Sequence, residues 1–467
     1  MAHRTRVIYQ SEAVYVSQNV AYSGAQTGTG PLPNSNNFNI LDLNRIQSAN
    51  YSFNVARQDV NQYGELAAID QCIVEAPTVS FDTSYYLANF TNEHRLGFFV
   101  TQSGDGVTYD NGPQADTADA KSAITNLIDS TNNAYQKNYY ILTTKEGKDA
   151  NRSQPSGVPL TASGDFESIM GIGNGFLSAY STEGSVGGMP TVSVSVEGQN
   201  MNFVSMPYTG AAETNHNTAT PNQGFRTSGA GATPGVSGAL NRLIGISGQS
   251  PAVNPVDGTK YDFPICLPIP SGNSSDLSMG GLSTLRPGDI TLTLAKQTGV
   301  GIFDAATGTM GIDGNTDAFR GMEDPDYAGP SIEDAHIQSY SISFDLSRTP
   351  IQKLGVKYAF ARPVDFPINI SLSVDAILSD LTSGSLADII NCDQTLDARI
   401  TMKDPSCELS TKPIVCNYVI KGLKLDSESF SQSIGDNQTV TLDFSTQIGG
   451  PSQKSKGIFM SGYYATV

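Results

Sequence analysis

The side chains that most often catalyse reactions or bind metals are few in this chain and lie far apart in the sequence. The 467 residues contain four histidines and five cysteines. They are His3, His94, His216, His336, Cys72, Cys266, Cys392, Cys407 and Cys416. None of them forms an H-E-x-x-H or C-x-x-C motif, and the chain has neither a G-x-S-x-G nucleophile elbow nor a Walker-type phosphate loop. The sequence therefore predicts no enzyme, no cofactor, and no catalytic, cofactor-binding or metal-binding residue.

Three weaker patterns favour structural interpretations. Gly171–Gly175 resembles a phosphate-loop fragment but opens no helix of a βαβ unit, which favours a hairpin. Asp313–Asp317 begins like a calcium loop, yet the expected glycine is Ala318 and the expected glutamate is Asp324, so an exposed acidic loop is predicted, as it is for the acidic run at 323–326. The neighbouring carboxylates at 333 and 334 would point to opposite faces of a strand, which argues against joint acid–base catalysis.

Composition indicates many short strands joined by turns. Hydrophobic residues make up 38% of the chain and charged residues only 15%, with 46 glycines and 24 prolines. The formal net charge of −18 gives no indication of the basic face through which a protein binds nucleic acid. The acidity is explained either by solubility or by repulsion of a polyanion that must pass without sticking.

The cysteines and the chain's apolar segments bear on its location. Five widely spaced cysteines favour reduced thiols in a protein made in a cytosol. The first ten residues carry charge but no apolar core, so no signal peptide is predicted there. No apolar run approaches the length of a membrane span, and no membrane partner is expected.

An internal repeat is the most informative pattern. Ile46–Arg57 aligns without a gap with Ile337–Arg348, and six of the twelve positions are identical. The offset is 337 − 46 = 291 residues, and it also carries Gly64 onto Gly355. Three further pairs of similar segments keep the same order in both halves. They are Tyr140–Lys145 with Arg399–Asp404, Gly175–Leu177 with Gly422–Lys424, and Thr191–Val196 with Thr439–Phe444.

The repeat divides the chain into two mostly β modules, residues 1–205 and 286–467, with a Gly-, Thr-, Asn- and Pro-rich linker or surface elaboration at 206–285. Each module is predicted to carry one flanking helix, over Ala118–Tyr135 in the first and Leu381–Ile390 in the second. The predicted strands of the first module are Val14–Val16, Ile46–Arg57, Leu66–Val74, Thr78–Leu87, Phe176–Tyr180 and Thr191–Val196. Those of the second are Asp289–Leu294, Ile337–Arg348, Pro367–Leu378, Tyr418–Leu425 and Thr439–Phe444. Alternation through Tyr51, Phe53 and Val55 is typical of a half-buried strand.

Several segments of the first module together resemble the tail tube proteins of long-tailed bacteriophages. They are Leu43–Ser48, Tyr51–Gly64, Ala76–Asp82, Tyr85–Leu87 and Asn92–Phe98. The resemblance implies a β-sandwich or partial barrel with a flanking helix, built twice here. It further implies a structural virion protein of the phage tail, made in the host cytoplasm, that forms rings stacked into the conduit for genome delivery.

The resemblance also implies partners. Two modules per chain correspond to homotrimeric rings with pseudo-six-fold symmetry, and the other partners would be tail proteins: a sheath if the tail contracts, a tape measure, a terminator and a baseplate. DNA would pass through the lumen without specific binding, along a wall of net negative charge. A ring of three chains carries 3 × −18 = −54 formal charges.

Two alternatives remain open from the sequence. The first is another virion structural protein, a capsid or decoration protein with duplicated β-sandwich domains. The second is an enzyme or carbohydrate-binding module on a β-sandwich, which the absence of tryptophan weakens.

Overall fold

The structure is a computed structural model of the chain, and its described part is mainly β, as the composition predicts. The described residues are 12–17, 40–74, 78–101, 122–129, 137–144, 166–198, 200–205, 284–296, 336–351, 354, 361–377, 395–403, 414–431, 439–450 and 456–462. The helix predicted at 381–390 and nearly all of the 206–285 segment lie outside these residues. The division into modules at 205 and 286 therefore stays a prediction at its boundaries.

The first half contains eleven strands and two short helices within its described residues. The strands are β1 (Glu12–Ser17), β2 (Ile40–Leu43), β3 (Ile46–Asn54), β4 (Arg57–Val60), β5 (Asp70–Ile73), β6 (Thr78–Tyr86), β7 (Val100–Thr101), β8 (Lys137–Thr144), β9 (Phe166–Ser185), β10 (Thr191–Gly198) and β11 (Asn200–Ser205). The helices are α1 (Thr91–Leu96) and α2 (Thr125–Ile128).

The second half contains seven strands within its described residues, after a 3₁₀ turn at Pro287–Asp289. They are β12 (Ile290–Lys296), β13 (His336–Asp345), β14 (Ile368–Ile377), β15 (Leu396–Lys403), β16 (Ile414–Ser431), β17 (Thr439–Ile448) and β18 (Gly457–Gly462).

Both halves pair their strands in the same way. In the first half, β3, β6, β10 and the C-terminal part of β9 form four neighbouring strands, while the N-terminal part of β9 pairs with β8 and β11, and β8 pairs with β1. In the second half, β13, β14, β17 and β16 repeat the first set, and β15, β18 and β12 repeat the second. The chain therefore contains one strand topology twice.

The registers of the two halves coincide residue by residue. Ile46 lies opposite Tyr85 and Ile337 opposite Ala376, and in both pairs a bulge follows one residue later. A second bulge lies in β9 between Leu177 and Ala179, and its counterpart 248 residues later lies in β16 between Leu425 and Ser427. The gapless alignment at offset 291 is thus confirmed as a pair of equivalent strands.

Two details differ from the sequence-based expectation. The strand pairing matches Gly175 to Leu423, one residue from the predicted match to Gly422. The helix predicted over Ala118–Tyr135 is too long, because α2 ends at Ile128 and Asp129 is already extended. Ala123 N–H donates to the carbonyl of Ile458, so the residues before α2 are bound to a strand instead of continuing a helix.

The core runs without interruption through both halves. Apolar side chains of β6, β9, β10, β13, β14, β16 and β17 alternate with polar ones and form one buried cluster. The sequence alternation therefore gives these strands one buried and one polar face.

Candidate functional site

The most extensive feature of the molecule is a sheet of eight antiparallel strands that crosses from one half to the other. Its order is β3, β6, β10, β9, β13, β14, β17, β16. The face opposite the core consists of small hydroxyl and acidic side chains. These include Ser52, Ser80, Asp82, Ser181, Glu183, Ser193, Ser195, Ser341, Ser343, Asp345, Ser371, Ser373, Asp375, Thr441, Asp443, Ser427 and Ser429.

Hydroxyl groups on this face donate to carboxylates on neighbouring strands. Ser195 donates to Asp82 at 2.6 Å, and Ser373 and Ser427 donate to the two oxygens of Asp443 at 2.7 and 2.6 Å. Hydrogen bonds from these two serines lower the pKa of Asp443. The Asp443 carboxylate therefore remains charged at neutral pH, and its two oxygens are both hydrogen-bonded to serine hydroxyls.

The two halves join in the middle of this sheet, where β9 pairs with β13. Ser181 lies opposite Ser343, and Tyr180 lies opposite Phe344. On the core side, the rings of Tyr180 and Phe344 stack at 5.3 Å, and Phe98 meets both rings edge-on. This seam between the halves, called the module seam below, buries aromatic side chains from both of them.

A buried carboxyl group lies beside the module seam. Glu93 of α1 accepts hydrogen bonds from Tyr85 at 2.9 Å and Tyr180 at 3.4 Å, and Tyr180 is in turn 2.7 Å from the hydroxyl of Tyr418 in β16. Burial raises the pKa of Glu93 to about 7, against the lowering effect of the two tyrosine hydrogen bonds. The other carboxylate oxygen, Oε2, has no hydrogen-bond partner within the described part of the chain.

A second cluster, of one aromatic ring, two arginines and one glutamate, connects the two halves at the edge of the module seam. The ring of Phe176 in β9 lies 4.8 Å from the guanidinium of Arg348 and 5.7 Å from that of Arg362. Arg362 also forms an ion pair with Glu197 of β10. These four residues are called the clamp, since two come from the first half and two from the second. Arg348 further donates to the carbonyl of Leu127 at 2.7 Å.

The two outer strands of the long sheet each have a side to which no strand pairs within the described residues. The free strand at one end is β3, and at the other it is the C-terminal part of β16. On β3, Tyr51 is 45% exposed and Phe53 is 60% exposed. Their equivalents at offset 291, Ile342 and Phe344, are 0% and 2% exposed. The predicted half-burial of β3 is therefore wrong for the single chain, because the neighbour that covers β13 has no counterpart beside β3.

Hairpins extend from the same end of the sheet in both halves, because β3 and β13 run in the same direction. The first is β4–β5, whose residues are all exposed. The second joins Arg348 to Val364 and Ile351 to Ala361 through isolated bridges. Exposed apolar side chains mark both hairpins: Val60, Tyr63, Leu66, Ile69, Ile73, Ile351 and Leu354. Val186 and Met189 are exposed in the β9–β10 turn at the opposite end.

The residues singled out for chemistry are dispersed. His94 lies in α1, where burial lowers its pKa to about 4, and Gly171–Gly175 lies inside β9. Cys72 is a free, exposed cysteine and Cys416 is a free, buried one. His336 begins β13. The remaining candidates lie outside the described residues: His3, His216, Cys266, Cys392, Cys407, 313–318, 323–326, 333 and 334. Within the described part, no three His, Cys, Asp or Glu side chains cluster as a metal site would require.

The comparisons with known proteins add nothing to the fold described above. No protein-family model matches the chain, and no curated protein matches it. Among solved structures, a chain from the cryo-EM structure of the anti-feeding prophage baseplate, symmetrised six-fold, matches with a TM-score of 0.19 and 15% identity, over 23% of this chain and 76% of that one. A chain from the tail of an empty GTA particle, refined helically with C6 symmetry, matches with a TM-score of 0.18 and 13% identity, over 25% and 83%. With TM-scores this low, neither match bears on the fold or the function of this chain.

In the described residues, no helix is both long and apolar enough to span a membrane.

Proposed function

We propose that this chain is a non-enzymatic structural subunit of a phage tail, and that it forms trimeric rings that stack into the tail tube. The observation that carries the proposal is the difference between β3 and β13. Equivalent apolar residues are buried on β13, where another module pairs alongside, and exposed on β3, where none does. The partner that fits β3 is therefore another module of the same kind, supplied by a second copy of the chain.

The module seam supplies the register of this contact. Ser343 of β13 corresponds to Ser52 of β3 at offset 291, and Ser181 of β9 corresponds to Ser429 of β16 at offset 248. Since Ser181 pairs with Ser343, Ser429 of one chain would pair with Ser52 of the next. The same rule places Ser431 opposite Asn50 and Ser427 opposite Asn54. Repetition of one heterologous contact closes into a ring when the rotation divides a full turn, and closure removes the free edges.

If every module occupies one sixth of a turn, a ring holds six modules, and because each chain carries two modules the ring holds three chains. In such a ring the hydroxyl and acidic face of the long sheet would form one continuous wall. A wall that carries Asp82, Glu183 and Asp375 would not hold DNA by counterion release, so the genome would pass without specific binding. The apolar hairpins at one end and the Val186–Met189 turn at the other would provide surfaces for ring stacking and for other tail proteins, as in the family that the sequence resembles.

The test uses the exposed ring of Phe53. The proposed contact between β16 of one chain and β3 of the next is called the chain–chain seam below. Phe53→Asp leaves a solvent-exposed position exposed in the single chain but would place a charge in this seam, so we expect a folded monomer that forms no rings. Phe53→Leu is the matched control and should retain them. Electron microscopy with symmetry analysis of wild-type assemblies reports the ring. A closed shell would favour a capsid or decoration protein, and rings of six chains with twelve modules would rule out the trimer.

A further inference from the structure

The internal repeat allows the chain–chain seam to be compared with the module seam at the clamp. Phe176 pairs with Glu197 in the first half, and the equivalent pair in the second half is Lys424 with Ser445. The hairpin positions follow the offset of 291, because Arg57 pairs with Ile73 as Arg348 pairs with Val364. Arg348 and Arg362 thus correspond to Arg57 and Gln71.

Three of the four clamp residues are therefore different at the outer ends of the chain. Where the module seam has two guanidinium groups next to an aromatic ring, the chain–chain seam would have Lys424 facing Arg57. Where the module seam has the ion pair of Arg362 with Glu197, the chain–chain seam would have Gln71 and Ser445. An attractive cation–π and ionic cluster is thus replaced by a contact between two cations.

We propose that the chain–chain seam is a weakened copy of the module seam, in which repulsion between Lys424 and Arg57 of a second copy of this chain limits the affinity between free chains. The inference rests on the ring proposed above. The strand pairing and buried apolar side chains of the seam still provide attraction, whereas the clamp position opposes it. A chain built in this way keeps its two modules together permanently and joins other chains reversibly.

Both cations are exposed in the single chain, so we expect substitutions there to leave the monomer folded. Lys424→Phe would restore the aromatic ring beneath Arg57, and we expect the dissociation constant of each seam to fall about two- to fivefold. Lys424→Glu and Arg57→Glu each convert the contact into an attractive one and should also tighten association. Combining them in one chain restores like charges and should abolish that gain.

Comparing the single and double charge reversals separates the effect of the local contact on association from the effect of net charge. Each acidic substitution makes an already acidic chain more negative, which by itself would weaken association between chains. Lys403→Glu is the matched control. Lys403 of β15 pairs with Ile414, the first residue of β16, and Ile414 lies ten residues or roughly 30 Å along β16 from Lys424. It should weaken association slightly or leave it unchanged.

Sedimentation equilibrium or mass photometry of the purified full chain, at one fixed ionic strength, measures the association. Tightening by both single charge reversals, with loss of the gain in the double variant, supports the inference. If either reversal weakens ring formation while Phe53→Asp still abolishes it, the ring stands and the repulsive contact is wrong. If wild type and all variants fail to form rings, the proposed ring fails and this inference fails with it.

Discussion

The strands β3 and β13 have nearly the same sequence pattern and opposite surroundings. Both place apolar side chains at alternate positions on the core side, and both pair on one edge with the next strand of their module. Within the described residues, only β13 has a strand on its second edge. The side chains Ile342 and Phe344 of β13 are buried, whereas the equivalent Tyr51 and Phe53 of β3 are exposed. Alternation in a sequence therefore specifies which face a strand turns inward, whereas burial depends on whether a neighbouring module is present.

The largest expected effect comes from removing the equivalent phenylalanine rings of the two strands, one at a time. Phe344→Ala should lower the free energy of unfolding by about 3–5 kcal/mol, because it leaves a cavity against Tyr180 and Phe98. Phe53→Ala should change the stability of the monomer by no more than about 0.5 kcal/mol, since the side chain is largely exposed. Urea denaturation of dilute, monomeric protein measures both values. Equal losses from the two variants would contradict the difference in burial between Phe53 and Phe344.

The module seam should also impose a pH dependence through Glu93. Its pKa is about 7 in the folded chain and 4.5 ordinarily, so the folded state retains a proton that the unfolded state releases. Stability should therefore fall as pH rises from about 4.5 to 7 and then remain level. Glu93→Gln stays neutral throughout, and it should be more stable than wild type above pH 7 by at most about 3 kcal/mol, with little difference near pH 4.

Unfolding by denaturant at several pH values tests this prediction, with Glu183→Gln on the exposed sheet face as the control. If Glu93→Gln destabilises the chain equally at every pH, then a charged Glu93 is part of the folded structure and the raised pKa is wrong.

Close approach of the backbone at the module seam gives a smaller effect. A Cβ at Gly184 of β9 would lie 2.6 Å from the ring of Tyr340 on β13. Gly184→Ala should therefore force the two strands apart or displace the ring, at a cost of about 1–3 kcal/mol in stability. Gly188, in the β9–β10 turn beside the seam, is the control, because there the nearest atom is the movable hydroxyl of Ser185. A neutral Gly184→Ala would show that the seam is looser than described.

The sequence alone allowed some features to be predicted and concealed others. Segments such as Ile337–Arg348 were predictable because identical residues recur at a fixed offset, and the strands that surround them alternate with period two. Glu93 was not predictable as a buried acid, because its neighbours Asn92 and His94 are polar and only the tertiary contact with Tyr85 and Tyr180 buries it. The clamp was also missed, since Phe176 resembles any core aromatic until the strand pairing brings Arg348 above it.

The reduced state of the five cysteines stays a prediction as well. Cys72 and Cys416 are free in the structure, while the other three cysteines lie outside the described residues. We expect all five to be reduced, which non-reducing peptide mapping of the native protein would check. A native disulfide would contradict assembly in a reducing cytosol.

The smallest expected effect concerns a serine–aspartate pair on the polar face of the sheet. The pair occurs in both halves, but the serine and the aspartate have exchanged strands. In the first half, Ser195 of β10 donates to Asp82 of β6, directly opposite in register. In the second half, the residue equivalent to Asp82 is Ser373, and the residue equivalent to Ser195 is Asp443, and these two are again opposite and hydrogen-bonded. The pair is thus maintained as one hydroxyl and one carboxylate, whichever strand carries the charge.

Exchange of the two residues in the first half tests whether the pair or the position matters. Ser195→Asp alone places two carboxylates opposite each other and should destabilise the chain by about 0.2–1 kcal/mol, whereas Asp82→Ser alone leaves two hydroxyls and should cost less. The double exchange recreates the arrangement of Ser373 and Asp443 and should recover wild-type stability. A double-mutant cycle by urea denaturation measures the coupling. If the double variant is only the sum of the single variants, the sheet face requires charge at fixed positions, and its acidic and hydroxyl residues are not interchangeable in the way that the internal repeat indicates.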